Sequence, residues 1–405
     1  MPKILFLSYD GLTDALGQSQ VLPYLLGLSQ QGFAISIISA EKQDNYALRR
    51  EVITQIIEKN NQTTQSIITW QPIFYTKKPP VFSTLYDIWK MQRKAQALHK
   101  QQQFDIIHCR SYIPALIGLR LKHRLGLPFI FDMRGFWADE RVDGGLWNLK
   151  NPLFRQIYTY FKQKEKQFLQ QAAYTISLTE KAKQEILSWS LPQVSPIEVI
   201  PCCADLQHFY PQNQTQQTNS QGLTISYLGS IGTWYMLSEM LAFYKQLLQT
   251  YPQAEFLFIT PDSPAHIRQE AQKLGLPLEQ IRIQKAERKD IPTLLAQSQI
   301  SLFFIKPAFS KKASSPTKTA EILGMGIPII ANQGVGDNDF LFQNYTCGTL
   351  IADFSEQSFA QAIAQIPKLL QIPKEKLRQT ALDYFSLEKG VKQYAKIYKQ
   401  ILAKK

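Results

Sequence analysis

The chain is poor in cysteine, histidine and acidic residues: 405 residues hold 4 Cys, 5 His and 32 Asp+Glu against 45 Lys+Arg. Cys109, Cys202, Cys203 and Cys347 are too few for a disulfide framework, and none has CxxC or Cys/His metal spacing. A reducing compartment is expected, and a metal site is not. Long apolar runs are missing as well. The opening MPKILFLSYD has four consecutive apolar residues before Ser8, too few for the apolar region of a signal peptide. The uncharged stretch from Ala15 to Ala40 is broken by Gln18, Ser19, Gln20, Pro23, Gln30 and Gln31, so it cannot span a bilayer. These absences imply a cytoplasmic chain, soluble or attached to a membrane only at its surface. Apolar material is abundant: 44% of the residues are hydrophobic and 12% of the chain is aromatic, which excludes global disorder and can fill two cores.

Short β-branched and aromatic runs alternate with longer helical patterns, which predicts parallel sheets with crossover helices. Strands are expected at Ile4 to Tyr9, Ala34 to Ser39, Phe104 to Cys109, Pro128 to Met133, Tyr174 to Leu178 and Glu198 to Cys202, with a helix over Gln18 to Gln31. The polar run PQNQTQQTNS, 211–220, reads as a linker. The alternation then restarts with strands at Leu223 to Leu228, Glu255 to Thr260, Ile281 to Gln284, Ile300 to Ile305, Pro328 to Ala331 and Gly348 to Ala352. A last helix covers Ser386 to Ala403, with Leu387, Val391, Tyr394, Tyr398 and Ile401 on one stripe. The fold class is therefore α/β, two Rossmann-like doubly wound domains facing across a cleft, over 1–210 and 211–385, followed by the helix 386–405.

Three segments can carry chemistry. Asp10-Gly11-Leu12-Thr13-Asp14-Ala15-Leu16-Gly17 lets the backbone approach a phosphate or sugar, or simply makes a turn that needs glycine. Leu228-Gly229-Ser230-Ile231-Gly232 repeats the device at the start of the second domain. In Ser314-Ser315-Pro316-Thr317-Lys318-Thr319-Ala320-Glu321, Ser315 is expected to cap a helix begun by Pro316, presenting first-turn N–H groups and Lys318 to an anion. The alternative is an exposed Lys318/Glu321 pair that stabilises its own helix. A position between two buried strands at the carboxyl edge of a sheet favours binding.

With the blocks YDGLTDALGQSQVLPYL, FDMRGFWADERVDGGLW, SLTEKAKQ, VIPCCADLQHF, YLGSIG and SSPTKTAEILGMGIPIIANQGVGD in order, the chain resembles the family 4 retaining glycosyltransferases of the GT-B fold. The resemblance implies transfer of a sugar from a UDP- or GDP-linked donor to a hydroxyl of a glycan or lipid-linked acceptor, without a cofactor. Epimerase or hydrolase activity on the same fold, or a catalytically lapsed nucleotide-sugar or membrane-binding protein, are the alternatives. By resemblance the amino-terminal domain takes the acceptor and the second domain the donor. Glu321 then holds the ribose, and Gly17, Gly229, Ser230, Ser315, Thr317 and Lys318 surround the donor phosphates. Gly334 and Val335 border the sugar, and Arg134 stands where many relatives carry a histidine near the anomeric carbon. Arg134, Lys318 and Asp14 form the expected catalytic set, with Asp132 and Asp139 as other candidates for the acceptor proton. Trp137 and Trp147, in a long loop over 135–150, suggest an acceptor-binding lid or an anchored surface loop. Departures are Ala313 in place of the first acid of E-x7-E, Ser230 in place of an arginine, and Trp234 and Tyr235 where a lysine is usual. They leave Lys306 and Lys312 as further cationic candidates. No DxD pair precedes a donor site, so metal independence is expected. His108 and Cys109 read as packing residues.

The formal net charge of +13 is concentrated in two segments. Between Lys77 and Lys100, six basic residues face Asp87 alone, and from Lys368 to Lys405 ten face Glu375, Asp383 and Glu388. Leu85, Ile88, Met91, Ala95 and Leu98 make an apolar stripe with Lys90, Arg93, Lys94 and Lys100 opposite, an ordinary solvated face. Phe82, Trp89, Pro79 and Pro80 make an anionic membrane surface the functional alternative. In the family fold the last helix returns to the first domain, which implies one basic surface for docking on the inner face of the cytoplasmic membrane. No nucleic-acid motif is present, and no nucleic-acid partner is expected.

Overall fold

The computed structural model describes residues 1–79, 81–211 and 222–404; the expected linker beyond Pro211, and Pro80, lie outside the described residues. Two compact units form, one from Met1–Pro201 with the chain from Leu387 onward, the other from Cys202–Ser386. Leu206 and Phe209 belong to the second unit's core, so the chain enters that unit upstream of the polar segment.

The first unit holds β1 (Lys3–Ser8), β2 (Ala34–Glu41), β3 (Ile68–Trp70), β4 (Ile73–Phe74), β5 (Ile106–Arg110), β6 (Phe129–Asp132), β7 (Tyr174–Ser177) and β8 (Ile197–Val199). They form one parallel sheet in the order β3-β2-β1-β5-β6-β7-β8, with β4 extending the pairing of β2. The second unit holds β9 (Thr224–Leu228), β10 (Glu255–Ile259), β11 (Ile281–Gln284), β12 (Ile300–Leu302), β13 (Ile329–Asn332) and β14 (Gly348–Ile351), in the parallel order β11-β10-β9-β12-β13-β14. The central strands are buried along their whole length because helices cover both faces, which is why they read as unbroken apolar runs.

Three local differences from expectation have physical causes. The helix expected over Gln18 to Gln31 divides at Val21 into Ala15–Gln20 and Leu22–Gln30. Pro23 has no N–H to give and restricts Leu22, so it starts a helix more readily than it continues one. Strand β12 ends at Leu302, and the Asn332 amide bonds both the N–H (2.8 Å) and the carbonyl (3.0 Å) of Ile305 beyond it. Strands β3 and β4, of three and two residues, are too short to show a period.

The chain runs from β1 to β2 in one direction along the sheet and from β4 to β5 in the other. Right-handed crossovers therefore set helices Leu22–Gln30 and Phe82–Gln102 on opposite faces. Helix Leu387–Leu402 packs on Leu22–Gln30, where a Cβ on Gly27 would stand 2.7 Å from Val391 Cγ2, whereas Phe82–Gln102 packs on Tyr112–Leu125. The basic parts of the first unit thus lie on two faces, which corrects the expectation of one surface. Leu85 also leaves the expected core stripe: it is exposed, with Phe82, Tyr86 and Trp89. The buried stripe carries Asp87 instead, which accepts from Tyr9 Oη (2.9 Å), Thr76 N–H (2.9 Å) and Thr76 Oγ1 (2.8 Å). Lys90 and Lys94 are not free surface charges, since they donate to the carbonyls of Phe74 (2.6 Å) and Pro72 (3.0 Å).

Candidate functional site

In the second unit, β9 ends in a turn that only glycine accommodates easily, with Gly229 at φ +106°. Asp262, just past β10, fastens that turn: it accepts from Ser230 Oγ (3.1 Å) and from the Ile231 N–H (2.5 Å). Tyr227 Oη donates to the Ser230 carbonyl (2.7 Å). Beneath the turn lies Lys318, from helix Thr317–Gly324. Its Nζ sits 3.5 Å from the ring centre of Tyr235 and 4.2 Å from that of Tyr227, and a Cβ on Gly229 would stand 3.2 Å from it. The side chain is buried and its Nζ has no hydrogen-bond partner. Burial pushes the amine well below the ordinary lysine range, against the pull of Glu321 and Asp262. The two ring faces also favour the charged form.

One turn further along the same helix, Glu321 is buried and accepts from Arg288 Nη1 at 3.1 Å. Burial raises its carboxyl above the usual range, opposed by Arg288, Lys318 and His208. His208 bonds the Arg288 carbonyl (2.9 Å), tying the start of this unit to the site. The exposed-pair alternative for Lys318 and Glu321 is thereby excluded. Ser315 does not cap the helix: the cap position is Pro316, without a side-chain bond, and Ser315 Oγ accepts from the Cys202 N–H at 3.0 Å. Thr317 opens the helix. Gly334 (φ +81°) and Val335 lie in the separate turn after β13, where Asp339 accepts from the Gly334 N–H (3.2 Å) and the Lys311 carbonyl from that of Gly336 (2.8 Å). The structure thus gathers Gly229, Ser230, Lys318 and Glu321 around one turn and one helix.

In the first unit, Glu41 ends β2 fully buried and accepts from the N–H groups of Leu12 (2.7 Å) and Thr13 (3.1 Å), from Thr13 Oγ1 and from Ser39 Oγ (2.5 Å). That carboxylate holds the Asp10 to Asp14 loop in place. Gly17 has no room for a side chain, since a Cβ there would collide with the Gly11 carbonyl and stand 2.6 Å from Leu12 Cα. Asp14 pairs with Lys42 Nζ at 3.0 Å, and Asp139 accepts from Tyr158 Oη (2.7 Å) and Lys162 Nζ (2.8 Å). Arg134 adopts φ +58°, a left-handed conformation that costs a side-chain residue of order 1 kcal/mol. Its Nη1 is 3.7 Å from Asp132 Oδ1. Asp132 also bonds His108 Nε2 (3.3 Å) and Tyr394 Oη (3.1 Å). Burial pushes its carboxyl up, but Arg134, His108 and Arg110 together hold it below the ordinary value. The expected loop over 135–150 contains helix Trp137–Asp143, and Trp137 packs against Trp147 (5.3 Å between centroids), Phe161 (4.8 Å) and Tyr112 (5.7 Å). Both tryptophans are thus part of an anchoring aromatic cluster.

Sequence reasoning missed Glu41, Arg110, Asp262 and Arg288. The first three share a signal that could have found them: each is a charged residue at, or just past, the carboxyl end of an apolar parallel strand. Arg288 lies in a short turn with no pattern around it.

A family model described as Glycosyltransferase Family 4 matches residues 21–208, and one described as Glycosyl transferases group 1 matches 211–382. No curated protein matches the sequence. Among solved structures, sucrose-phosphate synthase from Thermosynechococcus elongatus aligns over 100% of both chains with TM-score 0.73 and 15% identity. A glycosyltransferase from Rickettsia africae covers 99% of each chain at TM-score 0.69 and 16% identity. HepE from Anabaena, solved with UDP and glucose, covers 98% of this chain and 100% of its own at TM-score 0.67 and 13% identity. At such identities the likeness shows the fold.

The burial of Lys318 predicts a stability gain on its removal. The folded-state value lies below the unfolded one, so the folded chain binds fewer protons and stability falls as pH drops below the ordinary lysine value of about 10.4. Lys318→Met should therefore raise the unfolding free energy in urea at neutral pH by roughly 1 kcal/mol or more, with the gain shrinking toward pH ~10. A loss of stability would show that the amine is held by its surroundings rather than penalised by them.

Proposed function

The chain belongs to the glycosyltransferase family that both matched models describe, and from that premise we propose that it moves a sugar from a UDP- or GDP-linked donor to an acceptor hydroxyl with retention of configuration. The observation that carries this reading is the Lys318 amine beneath the Gly229 turn. As the bond from the anomeric carbon to the phosphate oxygen breaks, its electron pair stays on the diphosphate. The acceptor oxygen bonds to the anomeric carbon on the same face and gives its proton to the departing phosphate oxygen. The growing charge falls on Lys318 and on the Ser230 N–H, rather than on a divalent cation. In a water-poor setting one such group is worth ~3 kcal/mol, or about a hundredfold in rate. Glu321, oriented by Arg288, accepts from the ribose hydroxyls. Arg134, held over Asp132, is the matching cation of the acceptor unit. Asp14 is already committed to Lys42, which weighs against it as the proton acceptor.

HepE was solved with UDP-glucose, so that donor is the first to test. Acceptor-dependent release of UDP or GDP from a donor panel is expected, and Glu321→Ala should weaken nucleoside diphosphate binding by roughly tenfold in calorimetry. Absence of both release and binding would sink the transferase reading, whereas isomerisation of the donor without acceptor would mark an epimerase.

The acceptor is lipid-linked in this reading, and the protein works on the inner face of the cytoplasmic membrane. No helix among the described residues is long and apolar enough to cross a bilayer. Phe82, Leu85, Tyr86 and Trp89 recur at helical spacing with 73%, 57%, 52% and 50% exposure, beside exposed Lys77 and Lys78 and with Arg93 over the Trp89 ring (5.0 Å). Aromatic and cationic groups on one exposed face suit an anionic lipid interface. The chain should sediment with vesicles containing anionic lipid, and a Phe82→Ser/Trp89→Ser double variant should lose most of that binding. Equal sedimentation with neutral and anionic vesicles would refute this docking mode.

A further inference from the structure

We propose that the carboxyl ends of β1, β5 and β6 form an anion site centred on Arg110, and that the acceptor carries a phosphate or pyrophosphate group bound there. This rests on the transferase reading above. The register places Ser8, Arg110 and Asp132 side by side in one row across the three strands. Arg110 is 3% exposed, yet its Nε and Nη1 make no hydrogen bond. Its ion-pair partner is Asp10 Oδ2, 3.4 Å from Nε, on a side chain that is 43% exposed and so largely hydrated. The carboxylate inside the cluster, Asp132, is shared: Oδ2 serves His108 and Tyr394, and Oδ1 faces Arg134 at 3.7 Å without a hydrogen bond. His108 is turned from its other side by Tyr398 Oη at 2.7 Å from Nδ1.

Arg110 is therefore a buried guanidinium with no hydrogen-bonded carboxylate of its own. Buried N–H donors are rarely left unmade, and a guanidinium presents them as a planar fork that matches two oxygens of a phosphate. A ligand oxyanion entering past Asp10 would satisfy the Nε and Nη1 donors of Arg110. The same chemistry could be supplied by the donor diphosphate, and the experiment separates the two sources.

The probe is inorganic pyrophosphate, read by thermal denaturation of the full chain in a Lys318→Met background, where the amine assigned to the donor diphosphate is gone. Pyrophosphate is expected to raise the melting temperature of Lys318→Met and to leave Lys318→Met/Arg110→Gln unmoved. Arg110→Gln alone should keep UDP or GDP affinity within about twofold of wild type. Should Arg110→Gln fail to fold, Arg110→Lys keeps the charge but not the fork and should bind pyrophosphate roughly tenfold more weakly. No response in Lys318→Met, or an equal response in the double variant, overturns the proposal. Lost nucleotide affinity in Arg110→Gln assigns the anion to the donor and overturns the acceptor assignment. Failure of the wild-type chain to bind any nucleoside diphosphate is a different result, since it breaks the transferase reading while the Arg110 comparison still stands.

Discussion

A lysine amine held out of water without a hydrogen-bond partner is the constraint on which the second unit's site depends. Charge in that position is penalised by burial and supported by the ring faces of Tyr227 and Tyr235 and the carboxylates of Glu321 and Asp262. The surrounding residues follow from it. Gly229 has to be small because Nζ lies against it, Tyr227 is fixed by the Ser230 carbonyl, and Asp262 fastens the turn above. Glu321 is kept in line by Arg288, which His208 steadies from the first turn of this unit. A site built this way is costly when empty and well suited to an anionic ligand, which is the usual sense in which functional sites sacrifice stability.

The first unit uses the same end of its sheet differently. Glu41 spends its carboxylate on the backbone of the glycine loop, so that loop is fixed before any ligand arrives. Gly17 has a steric reason to lack a side chain, since its backbone runs against Gly11 and Leu12. The charged groups that remain for chemistry, Arg110, Asp132 and Arg134, sit around His108 and the two tyrosines of the last helix. That helix therefore contributes to the cluster from outside the sheet's own connections, a role beyond covering apolar surface.

Much of this was legible in the sequence, and the limits were physical. Strands such as EFLFI and TISYL are buried on both faces, so their composition announces them; the two-residue strand Ile73–Phe74 has no pattern to read. Lys318 and Glu321 were found because a short segment packs a turn, a helix start and a strand together. Their burial was not visible, and it removes the exposed-pair alternative to binding. Leu85 misled because helical spacing cannot say which of two apolar stripes faces the sheet, and Asp87, a charged residue, proved to be the buried one. Glu41 and Asp262, which fasten backbone, carry only a positional signal at or just past the carboxyl end of an apolar strand, and Arg288, which orients Glu321, lies in a short turn with no pattern around it.

The central claim is that Lys318 takes the charge of the leaving diphosphate, and proton uptake on binding tests it most directly. At about pH 9, below the ordinary lysine value, a nucleoside diphosphate is fully ionised and the depressed amine is the group poised to gain a proton. Calorimetric titration with UDP or GDP in buffers of differing ionisation enthalpy should show net proton uptake by the wild-type chain and none by Lys318→Met. Binding with no buffer dependence, or with the same dependence in both chains, would contradict the account.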